Sequence, residues 1–188
     1  IIELFIGYLS IFNQGLANRI VGDVVNAEDD DPYQRWLLAS KSLIDIQYDR
    51  RQNNVLNMAR KRLLSIIDNG VKPDILVEAG EILGWIGDSR ELDEFIPIAG
   101  GTYTLNLNIV TLDRFEIGKY PVTNKWFKEF IKDGGYENRD YWSAEGIKWL
   151  DYSKATQPAL WNHHKWKCPN SPVVGVSWYE SYAFTRWL

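Results

Sequence analysis

The chain has 188 residues, 45% of them hydrophobic and 24% charged, with a formal net charge of −4. Those are the proportions of a soluble globular protein. They argue against strong nucleic-acid affinity, because Lys119, Lys125, Lys128 and Lys132 are spread along one region and phosphate binding needs clustered cations. No run of about 20 apolar residues exists to span a membrane, and Ile1–Leu9 is too short and lacks the basic leader of a signal peptide. A single cysteine, Cys168, excludes an intrachain disulfide and fits a reducing cytoplasm. The chain starts at Ile1 without a methionine and ends at Leu188 inside a predicted helix, so it reads as a piece of a longer protein.

Ile1 to about Gly87 reads as helices. Leu4, Phe5, Tyr8, Leu9, Phe12, Leu16, Ile20 and Val24 keep a near-3.6 period that Gly15 is placed to interrupt. Glu28-Asp29-Asp30-Asp31-Pro32 ends that segment. Asp31 is a good cap for the next helix and Pro32 suits its first position. The second helix carries Trp36, Leu37, Leu43 and Ile44. The third has Asn54 as cap, Leu56, Ala59, Leu63 and Ile66 inward, and Asn69-Gly70 at its end. Pro73-Asp74 opens the fourth, which Gly87-Asp88 stops. Four helices joined by short polar turns predict a HEAT-like repeat or bundle.

Glu91–Pro97 reads as a linker. Residues Ile1–Ile96 hold 16 Asp and Glu against 10 Lys and Arg, a net of −6; Pro97–Leu188 hold 9 against 11, a net of +2. Seven of the 9 Trp lie in the second half. Such a shift predicts a domain boundary, with domains at residues 1–94 and 95–188. Beyond it, Phe95–Ile98, Thr102–Leu107 and Ile109–Ile117 alternate as strands. Thr123 is the expected N-cap of a helix through Ile131, with Val122 and Phe127 as its hydrophobic staple and Gly134-Gly135 at its end. Tyr136–Asn170 shows little periodicity and reads as a long loop held down by Tyr141, Trp142, Trp149, Trp161 and Trp166. Val173–Val176 reads as a buried strand. It leads into a helix capped by Ser177, with Glu180 completing a capping box. Trp178, at the joint, is expected in the core.

The residues capable of carrying chemistry read mostly as structural. His163-His164 is the only histidine pair, and adjacent residues of a strand point to opposite faces, which disfavours a shared metal. Cys168 reads as a buried, unreactive thiol. Glu28–Asp31 reads as an acidic helix turn rather than a calcium loop, and neither glycine pair has phosphate-loop spacing. Trp142, Trp149, Trp161 and Trp166 are the candidate binding residues, since Trp dominates binding hot spots; the alternative is that they form the core of a fold poor in regular structure.

Phe115–Asn124, Gly134-Gly135-Tyr136, Tyr141-Trp142-Ser143, Gly146, Trp149, Pro158, Trp161 and Pro172–Leu188 stand in the order and spacing of the formylglycine-generating enzyme (sulfatase-modifying factor) family, which this half of the chain resembles. The resemblance implies a C-type-lectin-like α+β domain, truncated here at its C-terminus. It also implies that the copper-binding catalytic cysteines and the calcium ligands belong to a C-terminal half not present, so no catalytic residue carries over. Glu78–Arg90 and Tyr33–Leu43 resemble the helical-repeat region of bacterial NACHT/STAND signalling ATPases. The expected fold is therefore α+β overall, an all-α repeat or bundle followed by the N-terminal part of a lectin-like domain. The expected function is a non-catalytic, cytoplasmic binding and sensing module of a larger signalling or defence protein. It would contact a protein partner or other domains of the same longer chain, with no nucleic acid, no membrane and no cofactor in this fragment, copper or calcium entering only if the missing C-terminal half supplies ligands. Two alternatives stand beside it: an oxygen-dependent formylglycine-generating or related sulfur-oxidising enzyme, and a variable ligand-binding protein of a diversity-generating system.

Overall fold

In the computed structural model, which describes residues 1–28, 33–106 and 108–188, Asn13 divides the first apolar stripe into two helices. α1 spans Ile2–Phe12 and α2 spans Gln14–Asn26. Asn13 holds a non-helical backbone, and its side chain accepts from the Leu16 N–H at 3.0 Å, so the break is an N-cap, two residues before the glycine that sequence points to. α3 (Gln34–Ser42), α4 (Asn53–Asp68) and α5 (Pro73–Ile86) complete an all-α unit, Ile1–Ser89. α4 begins one residue before Asn54, with Gln52 as its cap position. The expected caps Asp31 and Pro32 lie outside the described residues.

The buried set of this unit is aliphatic: Val21, Val25, Leu37, Leu43, Ile46, Leu63, Ile66 and Leu83 are among its members. Polar side chains are buried here too, among them Ser10, Asn18, Ser40 and Ser42. Asn18, buried in α2, donates to the carbonyls of Gln14 and Arg50 at 2.9 Å each and accepts from the Gln52 N–H at 2.9 Å. It ties α2 to the start of α4 with its amide fully used, as burial of a polar group requires.

The second unit, Arg90–Leu188, holds the four strands found among the described residues. β1 (Phe95–Ile98) pairs antiparallel with β4 (Phe115–Gly118), and β2 (Gly101–Leu105) pairs antiparallel with β3 (Asn108–Leu112), making two separate two-stranded sheets. Sequence predicts one strand over Ile109–Ile117. Asp113-Arg114 instead carries the chain from one sheet to the other. Phe95, Ile96, Phe115 and Ile117 are largely exposed, so this sheet is not the core.

The core lies among three helices: α6 (Asn124–Lys132), α7 (Ala144–Ser153) and α8 (Trp178–Trp187). α7 lies inside the stretch expected to be loop. Ser143 caps it, accepting from the Gly146 N–H at 3.0 Å. Val173–Val176 is not a strand: only an isolated bridge, Thr123 to Pro172, forms there. Gly175 turns the backbone at φ +73°, and a Cβ on it would sit 2.8 Å from the Leu160 amide nitrogen. The architecture is α+β.

Candidate functional site

Thr123 and Ser177 start the two helices that build the second core. Thr123 accepts from the Trp126 N–H at 3.2 Å; Ser177 accepts from Glu180 N–H at 3.2 Å, and Glu180 Oε2 accepts from Ser177 N–H at 2.6 Å. With both ends fixed, α6 presents Phe127 and Phe130 to Phe184 of α8. Phe127 stacks on Phe184 with centroids 5.2 Å apart, and Phe130 meets Phe184 edge-on at 5.8 Å. A Cβ on Gly135 would enter the Phe130 ring, so only glycine lets the chain leave α6 this close to it.

The four candidate tryptophans separate. Trp142 is 6% exposed and donates its indole N–H to the Gly135 carbonyl at 2.9 Å. Trp149 stacks on it at 6.0 Å, and Trp161 packs 6.2 Å from Phe127, both half-buried. Trp166 lies at the surface, 37% exposed, with the Lys165 ammonium 4.6 Å from its ring centre. The structure thus joins three of them to the aromatic core and leaves one outside.

Trp178, expected in the core, is 67% exposed. α8 turns Glu180, Ala183 and Phe184 inward, and Trp178 falls on the opposite face, where it stacks on Tyr182 at 5.5 Å. Capping geometry puts Trp178 at the first helical position, and the inward stripe then excludes it.

Sequence reading misses the buried pair Tyr136 and Glu180. The Tyr136 hydroxyl donates to Glu180 Oε1 at 2.6 Å, and Glu180 is 2% exposed. The carboxylate is shared between a helix cap and a phenol, both of which hydrogen-bond its charge. Burial, with the hydrogen bond and the nearby carboxylate, pushes the Tyr136 hydroxyl far above its ordinary range. The capping-box spacing identifies the first of these roles. Nothing local points to a tyrosine 44 positions away.

A second unforeseen feature is the attachment of the loop 161–171. Buried Asn124 donates to the carbonyls of Trp166 at 2.6 Å and Cys168 at 2.9 Å. The Lys125 N–H donates to the Pro169 carbonyl at 2.7 Å, and the Asn124 N–H to Ser171 at 2.9 Å. His163 and His164 do not diverge: their rings stack at 4.7 Å, and His163 Nδ1 accepts from the Lys165 N–H at 3.3 Å. The segment is a turn, so strand alternation does not apply to it.

No three His, Cys, Asp or Glu side chains gather to hold a metal ion among the described residues. Cys168 is buried with its Sγ 3.3 Å from Asn170 Oδ1. The described residues therefore do not fit a metal centre of three or more protein ligands. In the first unit, Lys41, Ile44, Asp74, Val77, Glu78 and Trp85 help line an open groove of about 390 Å³. No described helix is long and apolar enough to cross a membrane.

Residues 85–188 match the family described as sulfatase-modifying factor enzyme 1-like domain. The chain is 34% identical over 89 residues to hercynine oxygenase of Mycolicibacterium thermoresistibile, a match covering 43% of this chain and 20% of that protein. Hercynine oxygenases of Mycolicibacterium smegmatis and Mycobacterium tuberculosis are 33% and 32% identical over 89 and 90 residues, each match covering 43% of this chain and 21% of the relative. The chain spans about a fifth of the length of the curated relatives it matches.

These findings overturn two expectations. A non-catalytic binding and sensing module in signalling or defence gives way to the enzymatic alternative, because the relatives are named as oxygenases. The expectation of no cofactor falls with it. Ground-state dioxygen is a triplet and reacts slowly with closed-shell organic molecules, so oxygenases rely on a metal or an organic redox cofactor.

Proposed function

Because this chain belongs to the sulfatase-modifying factor enzyme 1-like domain family through residues 85–188, we propose that it serves a dioxygen-dependent oxidising enzyme, with a small organic molecule as substrate. The observation that carries this reading is the 34% identity over 89 residues to a hercynine oxygenase. A bound redox cofactor would supply dioxygen activation. The part of this chain's own residues is structural support: the Phe127–Phe130–Phe184 cluster and the Tyr136–Glu180 pair fix α6, α7 and α8. On this reading the unit Arg90–Leu188 is the opening part of a lectin-like domain, and the helices before it are a repeat-type scaffold for a cytoplasmic enzyme. Short helices, small sheets and long packed loops support the first assignment; five successive helices support the second.

The resemblance to formylglycine-generating enzymes implies one further substrate class, a cysteine-bearing peptide. One experiment separates the two. The protein, expressed with any coding sequence that flanks these 188 residues, is charged anaerobically with ferrous or cuprous salt, mixed either with hercynine or with a cysteine-containing peptide, and exposed to dioxygen. Substrate-dependent dioxygen uptake with a product of increased mass in the hercynine arm is the expected result. Aldehyde formation in the peptide arm alone would assign the cysteine substrate instead. No uptake in either arm, with either metal, overturns the oxygenase reading.

A further inference from the structure

We propose that the loop 161–167, with the start of α6, is a docking surface for an acidic peptide segment of a partner protein. In a chain with 25 Asp and Glu, no acidic residue occurs between Asp151 and Glu180, and Glu180 is buried. The same interval carries Lys154, His163, His164, Lys165 and Lys167. The fold adds to this. Hydrogen bonds from Asn124 to Trp166 and Cys168, and from Lys125 to Pro169, bring the start of α6 beside the loop, and with it exposed Lys125 and, one turn on, exposed Lys128.

The surface is organised before any partner arrives. Four hydrogen bonds to Asn124 and Lys125 hold the loop backbone. His163 Nδ1 fixes the Lys165 N–H, and the Lys165 ammonium rests over the Trp166 ring at 4.6 Å. A cation held in place on an exposed loop loses less freedom when a carboxylate docks on it. The arrangement favours a short acidic peptide over nucleic acid on two grounds. Double-stranded DNA carries a charge about every 1.7 Å and needs a longer run of cations than Lys125, Lys128, Lys165 and Lys167 offer. The Trp166 face that a base would stack on carries Lys165.

The test uses the full chain with a fluorescently labelled hexaglutamate peptide, a neutral glycine–serine peptide and a decauridylate oligonucleotide, followed by anisotropy. Hexaglutamate should bind saturably, the neutral peptide should not, and raising salt from about 50 to 300 mM should weaken binding several-fold. Lys165→Glu with Lys167→Glu should weaken hexaglutamate at least tenfold; Lys165→Gln with Lys167→Gln provides a milder version should charge reversal disturb folding. Lys61→Glu, on exposed α4 of the other unit, should leave binding unchanged. Equal loss in the Lys61 variant, no saturable binding of hexaglutamate, or tighter binding of the oligonucleotide than of the peptide would each overturn the proposal.

Discussion

The two units of this protein solve the same packing problem with different side chains. Among the described residues of Ile1–Ser89 the buried hydrophobic cluster is aliphatic, and most of it comes from α1–α5. In Arg90–Leu188 the buried core is Phe127, Phe130, Tyr136, Trp142, Leu150, Ala183 and Phe184. Regular helices bring small branched side chains close enough to interlock. Three short helices joined by long loops leave wider gaps, and rings bridge them. The difference teaches that the tryptophan-rich composition of the second half reflects first of all how its core is filled.

That contrast is broken most forcefully at Phe130, which is fully buried and touches five other rings. Phe130→Ala should cost about 3–5 kcal/mol, enough to abolish the near-ultraviolet circular dichroism of the second unit. Helical signal from the first unit should persist. A single concerted loss of both signals would show that the two cores are not energetically separate.

Tyr136→Phe sharpens the comparison at a buried polar pair of the aromatic core. Removing a hydrogen bond to a charged group should cost about 1.5–3 kcal/mol at neutral pH. It should also change the pH dependence. The folded hydroxyl titrates above its unfolded value of about 10, so the folded state binds the extra proton. Stability from this group is complete below pH about 10 and falls above it, by about 1.4 kcal/mol per pH unit. Urea titrations at pH 9 to 11 should show this slope in the parent and not in Tyr136→Phe.

Thr123→Ala removes the α6 cap and should cost about 0.5–2 kcal/mol, visible as a lower melting temperature of the second unit alone. Trp178→Ala should cost far less than Phe130→Ala, since Trp178 is mostly exposed. A loss as large as that of Phe130→Ala would contradict its placement on the outer face of α8.

The smallest effect is expected at the exposed pair Arg139 and Asp151, with nitrogen and oxygen 2.6 Å apart. Its hydrogen bond to Arg139 holds the Asp151 carboxyl below its ordinary range. The pair therefore contributes above the unfolded carboxyl value of about 3.9, and the contribution is lost as pH falls through the lower folded value. Asp151→Asn should lower the melting temperature slightly at pH 7, and that difference should close in strong acid or high salt.

Much of the local structure was legible in the sequence. Thr123 and Ser177 cap the helices expected of them, and the Glu180 capping box forms, because each motif closes within four residues. Pro73, Gly70 and Gly87 mark helix ends for the same reason. α7 was missed although Ser143 is a good cap, because Ile147 and Leu150 make a sparser apolar face than Phe127, Phe130 and Ile131 of α6. The family likeness was carried by motifs, but the choice between catalysis and binding was not, since no described cluster of ligating residues accompanies those motifs.

Sequence by itself determined where α5, α6 and α8 start, how charge and tryptophan divide along the chain, and which half carries family motifs. These rest on neighbours in the chain, whose distances covalent geometry sets. Tertiary structure alone decided that Trp178 faces outward, that Trp142 is buried while Trp166 is not, that Val173–Val176 fails to form a strand, and that Glu180 is shared with Tyr136. Each of these depends on a partner tens of residues away, on a close approach such as that of Gly175 to Leu160, or on which face of a helix meets the core. Such contacts exist only once the chain has closed on itself.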